Sequence, residues 1–362
     1  MDSSTPPRPR PLLPGEPLPW FRAKAIGGSD SYVFDTAAGR HMLMLFLGRA
    51  TDPGAPEALA CMVRSRALFD DVSACFFGVT SDPEDAASGR VAQLLPGIRF
   101  FLDPGGLAGL FGAGPAERRH WLLVDPMLRA VRTFPLEAGE AAVAALAEAI
   151  GHGPLPDWAP VLMAPHVFEP ALCERLIAHH RETGGTPSGF MREVGGKTVL
   201  ITDPNHKMRR DREIADEEVC AQLRARIVAK LVPMVKRAFQ FEATRMERYI
   251  VGAYPAGEGH FRPHRDNTTK GTAHRRFAVT INLNAGDYDG GDLRFPEYGG
   301  RTYRAPTGGA VVFSCSLLHE ATPVTRGTRY AFLPFLYDDS AARLREENNP
   351  HLGEGVGAYK AG

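Results

Sequence analysis

Apolar runs alternate with amphipathic stretches through the first 150 residues of the chain. Short apolar runs bounded by turn residues are typical of buried strands, and apolar positions every three to four residues are typical of helices. The pattern predicts strands at 42–48, 74–80, 120–125 and 129–134, an apolar segment at 98–106, and helices around 57–69, 107–112 and 139–150. This alternation predicts an α/β fold with a mostly buried central sheet.

Beyond residue 160 the pattern changes. Residues 169–185 have the apolar spacing of an amphipathic helix, with Pro170 at its start. Short strands with glycine-rich turns then follow, including 246–254, 310–313 and 329–335. Such a series is typical of a double-sheet jelly roll.

The length of 362 residues exceeds one typical domain, so we expect two. A segment rich in Gly and Pro marks the boundary between the two patterns. The predicted divisions are a Pro-rich tail at 1–13, a first domain at 14–150, a linker at 151–160, a second domain at 161–340 and a C-terminal tail at 341–362.

Composition narrows the classes of partner. The 42 Lys and Arg residues balance 42 Asp and Glu residues, so no basic excess indicates nucleic-acid binding. No apolar run approaches the ~18 residues that span a membrane, and the N-terminus lacks the apolar core of a signal peptide. Five scattered cysteines without a C-x-x-C motif suit reduced thiols. We expect a cytoplasmic protein with no nucleic-acid or membrane partner, and a homo-oligomer is a candidate assembly.

The candidate chemistry lies in the second half. On an extended segment, residues two apart project to the same face, so His264 and Asp266 can reach one ion. The strand at 310–313 leads to His319. Two imidazoles and one carboxylate form the 2-His-1-carboxylate triad, which leaves positions open on Fe(II). Arg329, ten residues after His319, offers a bidentate fork for a free carboxylate.

Three nearby groups are weaker candidates. His180 and Glu182 repeat the same ligand types, but on a helix residues two apart point away from each other. Arg326 lies in a turn, where we expect it to be solvated. His260 is expected at the rim of the pocket or behind the ligands.

The segments RYIVGAYPAGEGHFRPHRDN, FAVTINLNAGDYDGGDLRFPEYGG and APTGGAVVFSCSLLHEATPVTRGTRYAFLPFLY stand in this order along the chain. Over roughly residues 161–340 the chain resembles the Fe(II)/2-oxoglutarate dioxygenases, most closely the prolyl-4-hydroxylase-like branch. The resemblance implies a double-stranded β-helix, or jelly roll, with flanking helices. It also implies three Fe(II) ligands, His264, Asp266 and His319.

The same resemblance implies further roles in the pocket. Arg329 would pair with the distal carboxylate of 2-oxoglutarate. Tyr254 matches a tyrosine that lines the co-substrate pocket of related hydroxylases; its alternative is a core aromatic on a strand. Asn282 stands where prolyl hydroxylases often carry a tyrosine, which changes the details of the pocket. No catalytic residue is expected beyond the iron ligands.

The implied reaction uses Fe(II), 2-oxoglutarate and O₂ and releases succinate and CO₂, with ascorbate as a candidate further cofactor. Asp266 favours hydroxylation, since related halogenases lack this carboxylate. The substrate is an unidentified organic or peptide molecule: peptidyl proline, an amino acid or a small metabolite. We expect a substrate lid at 184–212. The basic run from Lys207 to Arg212 is expected to be mostly a solvated loop, with the alternative that it guides an acidic substrate.

With PGEPLPWF at 14–21, the first domain resembles a thioredoxin-like fold of the peroxiredoxin type. That family carries T-x-x-C with its nucleophile at a helix start, where the helix dipole lowers the thiol pKa. Here the segment begins at Thr51, and Gly54 stands in the place of the cysteine. Cys61 is expected inside the helix. We predict a degenerate redoxin without the peroxidatic cysteine, used for binding, dimerisation or substrate presentation.

Two alternatives to a dioxygenase remain at this point. One is a thiol peroxidase with a metal-binding appendage, which Gly54 disfavours. The other is a non-catalytic metal-binding protein. The triad disfavours it, because structural zinc sites are normally closed by four ligands.

Overall fold

The computed structural model describes residues 10–103, 105–114, 118–153 and 157–361. Within it the chain divides into two compact units, Met1–Asp157 with Pro296–Gly300, and Trp158–Phe295 with Arg301–Gly362. Most of the predicted tail at 1–13 and residues 154–156 of the predicted linker lie outside the described residues.

The first unit is built on a five-stranded mixed sheet. The strands of the unit are β1 (Arg22–Ala23), β2 (Tyr32–Val33), β3 (His41–Gly48), β4 (Ala74–Thr80), β5 (Ile98–Leu102), β6 (His120–Val124) and β7 (Ala130–Pro135), of which β1 and β2 form a separate two-stranded sheet. Its helices are α1 (Ala55–Arg64), α2 (Pro83–Ala87), α3 (Leu107–Leu110) and α4 (Gly139–Gly151). The strand order is β5-β4-β3-β6-β7, with β3, β4 and β5 parallel and β6 and β7 antiparallel. The predicted α/β arrangement is confirmed.

Both faces of this sheet are buried, which explains the continuous apolar run of its central strand β3. Side chains alternate between the faces of a strand. Leu43 and Leu45 therefore pack in one cluster with Met62 of α1 and Leu146 of α4. Aromatic side chains also pack on this sheet, and the rings of Phe77 on β4 and Phe101 on β5 are stacked with their centroids 5.2 Å apart.

The start of α1 carries no thiol. Gly54 is the N-cap of this helix and has φ +83°, a backbone conformation that favours glycine. Cys61 is buried in the helix, as expected, and burial, followed by the nearby Glu140, raises the pKa of its thiol. The one cysteine of the helix is therefore a poor nucleophile.

The second unit is rich in strands. These are β8 (Leu162–Ala164), β9 (Thr186–Pro187), β10 (Phe190–Val194), β11 (Lys197–Ile201), β12 (Lys207–Met208), β13 (Arg210–Glu213), β14 (Arg245–Glu247), β15 (Ile250–Pro255), β16 (His260–His264), β17 (Phe277–Asn282), β18 (Asp289–Gly290), β19 (Leu293–Arg294), β20 (Thr302–Tyr303), β21 (Ala310–Ser314), β22 (His319–Ala321), β23 (Val324–Arg326), β24 (Thr328–Phe332) and β25 (Phe335–Tyr337). Its helices are α5 (Pro170–Thr183), α6 (Glu217–Arg226), α7 (Val232–Phe239) and α8 (Asp339–Glu347), and a π-helical turn, Ile227–Leu231, joins α6 to α7.

Two sheets dominate this unit. The larger follows the order β14-β25-β17-β24-β15-β13-β9, with β21 beside β17 and β8 beside β21. The smaller follows the order β12-β16-β22-β19-β20. Buried residues of α5, α6 and α7 share one core cluster with the larger sheet, among them Leu176, Leu223, Val235, Val279 and Phe332.

Three features of this unit differ from the prediction. The expected strand at 246–254 is two strands, because Arg248 has φ +68° and interrupts the extended backbone. The helices α6 and α7 were not predicted. The predicted tail at 341–362 begins inside α8, and Tyr359 packs on the cluster formed with Tyr337, so this segment is ordered by burial of its aromatic side chain.

None of the helices in the described ranges is long and apolar enough to cross a membrane. All five cysteines are free thiols.

Candidate metal centre

Two histidines face each other on neighbouring strands of the smaller sheet. Strands β16 and β22 run antiparallel, and their register places His264 directly opposite His319. The two rings lie 4.3 Å apart between centroids. The Phe261 ring stacks on His264 at 3.5 Å, which fixes the imidazole on its strand.

Asp266 completes the cluster from the turn that follows β16. Its backbone N–H donates to the carbonyl of Cys315 at 3.0 Å, so the turn is held against the chain that leads to β22. Its carboxylate oxygens lie 3.5 Å from Nε2 of His264 and 3.3 Å from Nε2 of His319. One ligand atom from each of the three residues lies within 4.8 Å of the others. This is the only such group of metal-binding side chains among the described residues.

Hydrogen bonds fix which ring nitrogen faces the cluster. Nδ1 of His264 lies 2.8 Å from the carbonyl of Arg262, and Nδ1 of His319 lies 3.0 Å from the carbonyl of Leu317. A carbonyl only accepts, so each Nδ1 carries the proton and each Nε2 keeps its lone pair. Both lone pairs are then available to a metal, as in sites where a second group orients the histidine ligand.

The charge states also suit a cation. Burial, followed by the neighbouring His319, lowers the pKa of His264 to about 4, so its ring is neutral near pH 7. Burial alone would raise the pKa of Asp266, but His319 and His264 hold it well below its usual range. The cluster therefore offers the Nε2 atoms of two imidazoles and one carboxylate, the donor set of a facial triad.

Arg329 lies in the same cavity as the cluster, on the larger sheet. Arg329 is 2% exposed. It lies opposite Tyr254 where β24 pairs with β15, and its guanidinium carbon is 4.9 Å from the centre of the Tyr254 ring. Its Nε and Nη1 groups have no hydrogen-bonding partner. Gly291 makes room for this side chain, since a Cβ there would lie 3.2 Å from Cδ of Arg329. Two buried donors of one guanidinium are thus left for a ligand.

The other predicted pocket residues differ in placement. Tyr254 lines the cavity, and its hydroxyl accepts from Nη1 of Arg209 at 3.1 Å. Asn282 is buried away from the lining and donates from Nδ2 to the carbonyl of Ala305 at 2.7 Å. Tyr288, which the sequence analysis did not single out, is buried with an unpartnered hydroxyl. Burial raises its pKa, and the charge of nearby Arg329 acts in the opposite direction.

Part of the expected basic loop is buried instead. Lys207 and Arg209 are 5% and 7% exposed and line the cavity, so the prediction of a mostly solvated loop was wrong for these two residues. Pairing of β12 with β16 and of β13 with β15 draws the segment onto both sheets. Arg209 forms a bidentate pair with Asp211, with Nε to Oδ1 at 2.5 Å and Nη2 to Oδ2 at 2.7 Å. The only sequence signal was the alternation of basic residues, which solvated loops share.

The weaker candidates lie elsewhere. Arg326 is 62% exposed and pairs with Asp289 at 2.6 Å. His260 is not a lining residue, and its Nδ1 lies 2.7 Å from the carbonyl of Glu258. His180 is buried on α5, where its Nε2 lies 3.2 Å from the carbonyl of Arg210.

Comparison with known proteins covers this same region. Residues 247–337 match the profile of the 2OG-Fe(II) oxygenase superfamily. The chain is 26% identical over 198 residues to the multifunctional procollagen lysine hydroxylase and glycosyltransferase LH3 of Rattus norvegicus, which covers 52% of this chain and 24% of that protein. It is 39% identical over 80 residues to a PKHD-type hydroxylase of Cupriavidus metallidurans, covering 20% of this chain and 35% of that protein.

A solved structure, the peroxidoxin BcpB of Mycobacterium tuberculosis, matches with 18% identity and a TM-score of 0.32, covering 38% of this chain and 97% of that one. The chain spans about a quarter of the length of the lysine hydroxylases it matches. The residues that form the cluster and carry Arg329 all fall within the matched profile. The candidate metal centre therefore lies in a region that is similar to the 2OG-Fe(II) oxygenase superfamily.

Proposed function

We propose that the chain is an Fe(II)- and 2-oxoglutarate-dependent dioxygenase that hydroxylates a C–H bond of its substrate. One observation carries the proposal: an open cluster of three metal-binding side chains shares its cavity with a buried arginine that has two unpartnered donors. Both relatives compared above are named hydroxylases, which supports hydroxylation.

His264, Asp266 and His319 are the proposed iron ligands. Their donor set fits Fe(II), and three protein ligands leave coordination positions for a co-substrate and O₂. Bound Fe(II) supplies the redox chemistry that oxidises 2-oxoglutarate to succinate and CO₂ and inserts one oxygen atom of O₂ into a C–H bond. The residues themselves fix the geometry of the ligands, because both imidazoles are held by backbone carbonyls.

Arg329 is the proposed partner of the distal carboxylate of 2-oxoglutarate. A guanidinium fork matches a carboxylate with two parallel hydrogen bonds, and burial excludes water from the pair. Tyr254 would form a wall of the same pocket through its ring, which lies against Arg329. Asn282 does not line the cavity, and we keep it as a candidate that supports the pocket from outside the lining, since its buried Oδ1 has no partner.

The two sheets of the second unit are proposed to form the double-stranded β-helix. Strands β16 and β22 of the smaller sheet carry the two histidines, and β15 and β24 of the larger sheet carry Tyr254 and Arg329. A cavity lined from both sheets supports this assignment.

For the first unit we propose a redoxin-like module without peroxidase activity, used for binding, dimerisation or substrate presentation. Gly54 at the start of α1 and the burial of Cys61 support the lack of an activated thiol.

The test is succinate formation by the full chain with Fe(II), 2-oxoglutarate, air and ascorbate, the last as a candidate reductant that keeps iron ferrous. The panel of substrates comprises prolyl peptides, amino acids and small metabolites. We expect succinate that requires both Fe(II) and O₂ and increases with at least one panel member. Succinate at the same rate from a His264→Ala protein would contradict the proposal.

A further inference from the structure

The cavity holds more positive groups than its proposed contents need. Its lining includes four basic residues, Lys207, Arg209, Arg248 and Arg329, and one acidic residue, Asp266. Arg209 and Arg248 both face Asp211, at 2.5 Å and 3.8 Å. Neither Lys207 nor Arg329 forms an ion pair with a carboxylate among the described residues, although Asp211 and Asp266 act on Lys207 from farther away.

The proposed co-substrate accounts for only one of these two cations. A divalent metal, the Asp266 carboxylate and dianionic 2-oxoglutarate together carry one net negative charge, which Arg329 neutralises. A protonated Lys207 would then carry a positive charge in a buried place. Buried charges are normally paired, and Arg209 and Arg248 already share the one charge of Asp211, so a charged Lys207 calls for a further counter-ion.

Lys207 is linked to the metal cluster through the ring of Phe261. Its ammonium nitrogen lies 4.7 Å from the centre of the Phe261 ring, and that ring stacks on His264. Its hydrogen bond goes to a neutral group, the carbonyl of Gly189, at 2.7 Å. Burial, followed by the charge of Arg209, lowers its pKa well below the usual range, so the charged form lacks stabilisation until an anion arrives.

We propose that Lys207 binds a carboxylate of the primary substrate and so selects substrates that carry one beside the C–H bond to be oxidised. This inference rests on the proposed dioxygenase function and deepens it. A single negative charge beside Lys207 matches its one ammonium group. An ammonium is a compact point charge with three donors, of which one is used by Gly189, so a monoanion is satisfied there.

The test uses butyrate as the probe, with butyramide as its neutral isostere. The full chain is first saturated with Mn(II) and 2-oxoglutarate without O₂, and both probes are titrated at constant ionic strength, with binding followed by calorimetry. We expect butyrate to bind at least about tenfold more tightly than butyramide, as a charge-assisted hydrogen bond requires. Equal affinities in the wild-type protein, or binding of neither probe, would overturn the inference without any variant.

Lys207→Met keeps the apolar stem on Phe261 and removes the charge. It should bring the two affinities within about twofold and leave 2-oxoglutarate affinity unchanged, while Lys207→Arg should retain part of the preference. The matched control is Lys236→Met, at a lysine 61% exposed, which should behave as wild type. If Lys207→Met instead weakens 2-oxoglutarate about tenfold, the lysine serves the co-substrate and the inference is wrong. Failure of the first loading step would count against the proposed function, whereas successful loading without a butyrate preference counts against Lys207 alone.

Discussion

His264 and His319 stand directly opposite each other on antiparallel strands, with 4.3 Å between their ring centroids. Each presents the nitrogen that carries no proton toward the same point, and Asp266 adds a carboxylate there. A strand pair thus sets the spacing of two ligands, and a short turn sets the third. This division explains why the ligands can be close together although about 50 residues of chain separate them.

Removing one imidazole should leave too few ligands for the metal. We expect His264→Ala and His319→Ala each to lower 2-oxoglutarate decarboxylation by at least about 100-fold, since changing even a group that only orients a metal ligand costs roughly 10–100-fold. Activity and Mn(II) affinity are the measurements. His260→Ala is the matched control, because it lies on the same strand as His264 outside the cavity lining. Turnover near wild type in either ligand variant would refute the assignment.

Arg329 should bind 2-oxoglutarate through two parallel hydrogen bonds from its guanidinium rather than through charge alone. Arg329→Lys keeps the charge and loses the bidentate geometry, so we expect roughly ten- to 100-fold weaker 2-oxoglutarate binding, about 1.5–3 kcal/mol for charged hydrogen bonds. Mn(II) affinity should be unchanged. The control is Arg326→Lys, at an exposed arginine paired with Asp289. A larger effect at Arg326 would show that the wrong arginine was chosen.

The sequence analysis named residues that the structure brings together where their arrangement depends on residue order and local spacing. His264 and Asp266 are two residues apart on an extended segment, and Arg329 follows His319 by ten residues, so this spacing and the family resemblance together pointed to them. The α/β order of the first unit was readable for the same reason, because its buried strands are continuous apolar runs such as 42–48.

Tertiary pairing decided what the sequence could not show. From the sequence, Lys207 resembles a surface lysine, and only the pairing of β12 with β16 buries it. The local sequence also does not indicate that the Tyr288 hydroxyl is buried without a hydrogen-bonding partner. The interruption at Arg248 depends on a positive φ that a lone arginine does not signal. Long-range burial also orders the segment around Tyr359, which reads as a tail from composition.

A buried charge network should contribute to stability near the cluster. Glu247 accepts from Arg275 at 2.7 Å and lies 2.8 Å from Arg345 and 3.2 Å from His274. Because removing one partner leaves buried charges unpaired, Glu247→Gln should lower the free energy of unfolding by about 3–5 kcal/mol. Denaturant unfolding measures it, with Glu242→Gln as the control at a 67% exposed carboxylate. A loss under about 1 kcal/mol would contradict this role.

The same network should make the free energy of unfolding of the wild-type protein depend on pH in the acid range. Burial alone would raise the pKa of Glu247, but Arg275, His274 and Arg345 hold it well below its ordinary value of 4.5. A carboxylate whose pKa is lower in the folded than in the unfolded state stabilises the fold at pH values above its unfolded pKa. This contribution is progressively lost as the pH falls below about 4.5. The unfolding free energy of Glu247→Gln should therefore change less between about pH 5 and pH 3 than that of wild type. Parallel pH profiles would contradict the assignment.

The first unit should not consume peroxide. Neither Cys61 in α1 nor Cys75 in β4 is activated, and burial raises the pKa of the Cys75 thiol to about 11. The metal-free full chain, kept with a chelator to suppress iron chemistry, should leave hydrogen peroxide untouched with thioredoxin or dithiothreitol as reductant. Sustained consumption that disappears in Cys61→Ser would show an active thiol.

The central claim is that one cavity binds a metal and 2-oxoglutarate together. The direct measurement is calorimetric titration of 2-oxoglutarate into the anaerobic full chain, with and without Fe(II). We predict binding that is at least about tenfold tighter with Fe(II), because the metal holds one end of the co-substrate and Arg329 the other. This gain should vanish in His319→Ala. Equal affinity with and without Fe(II), or an Fe(II)-dependent gain that survives in His319→Ala, would contradict the account.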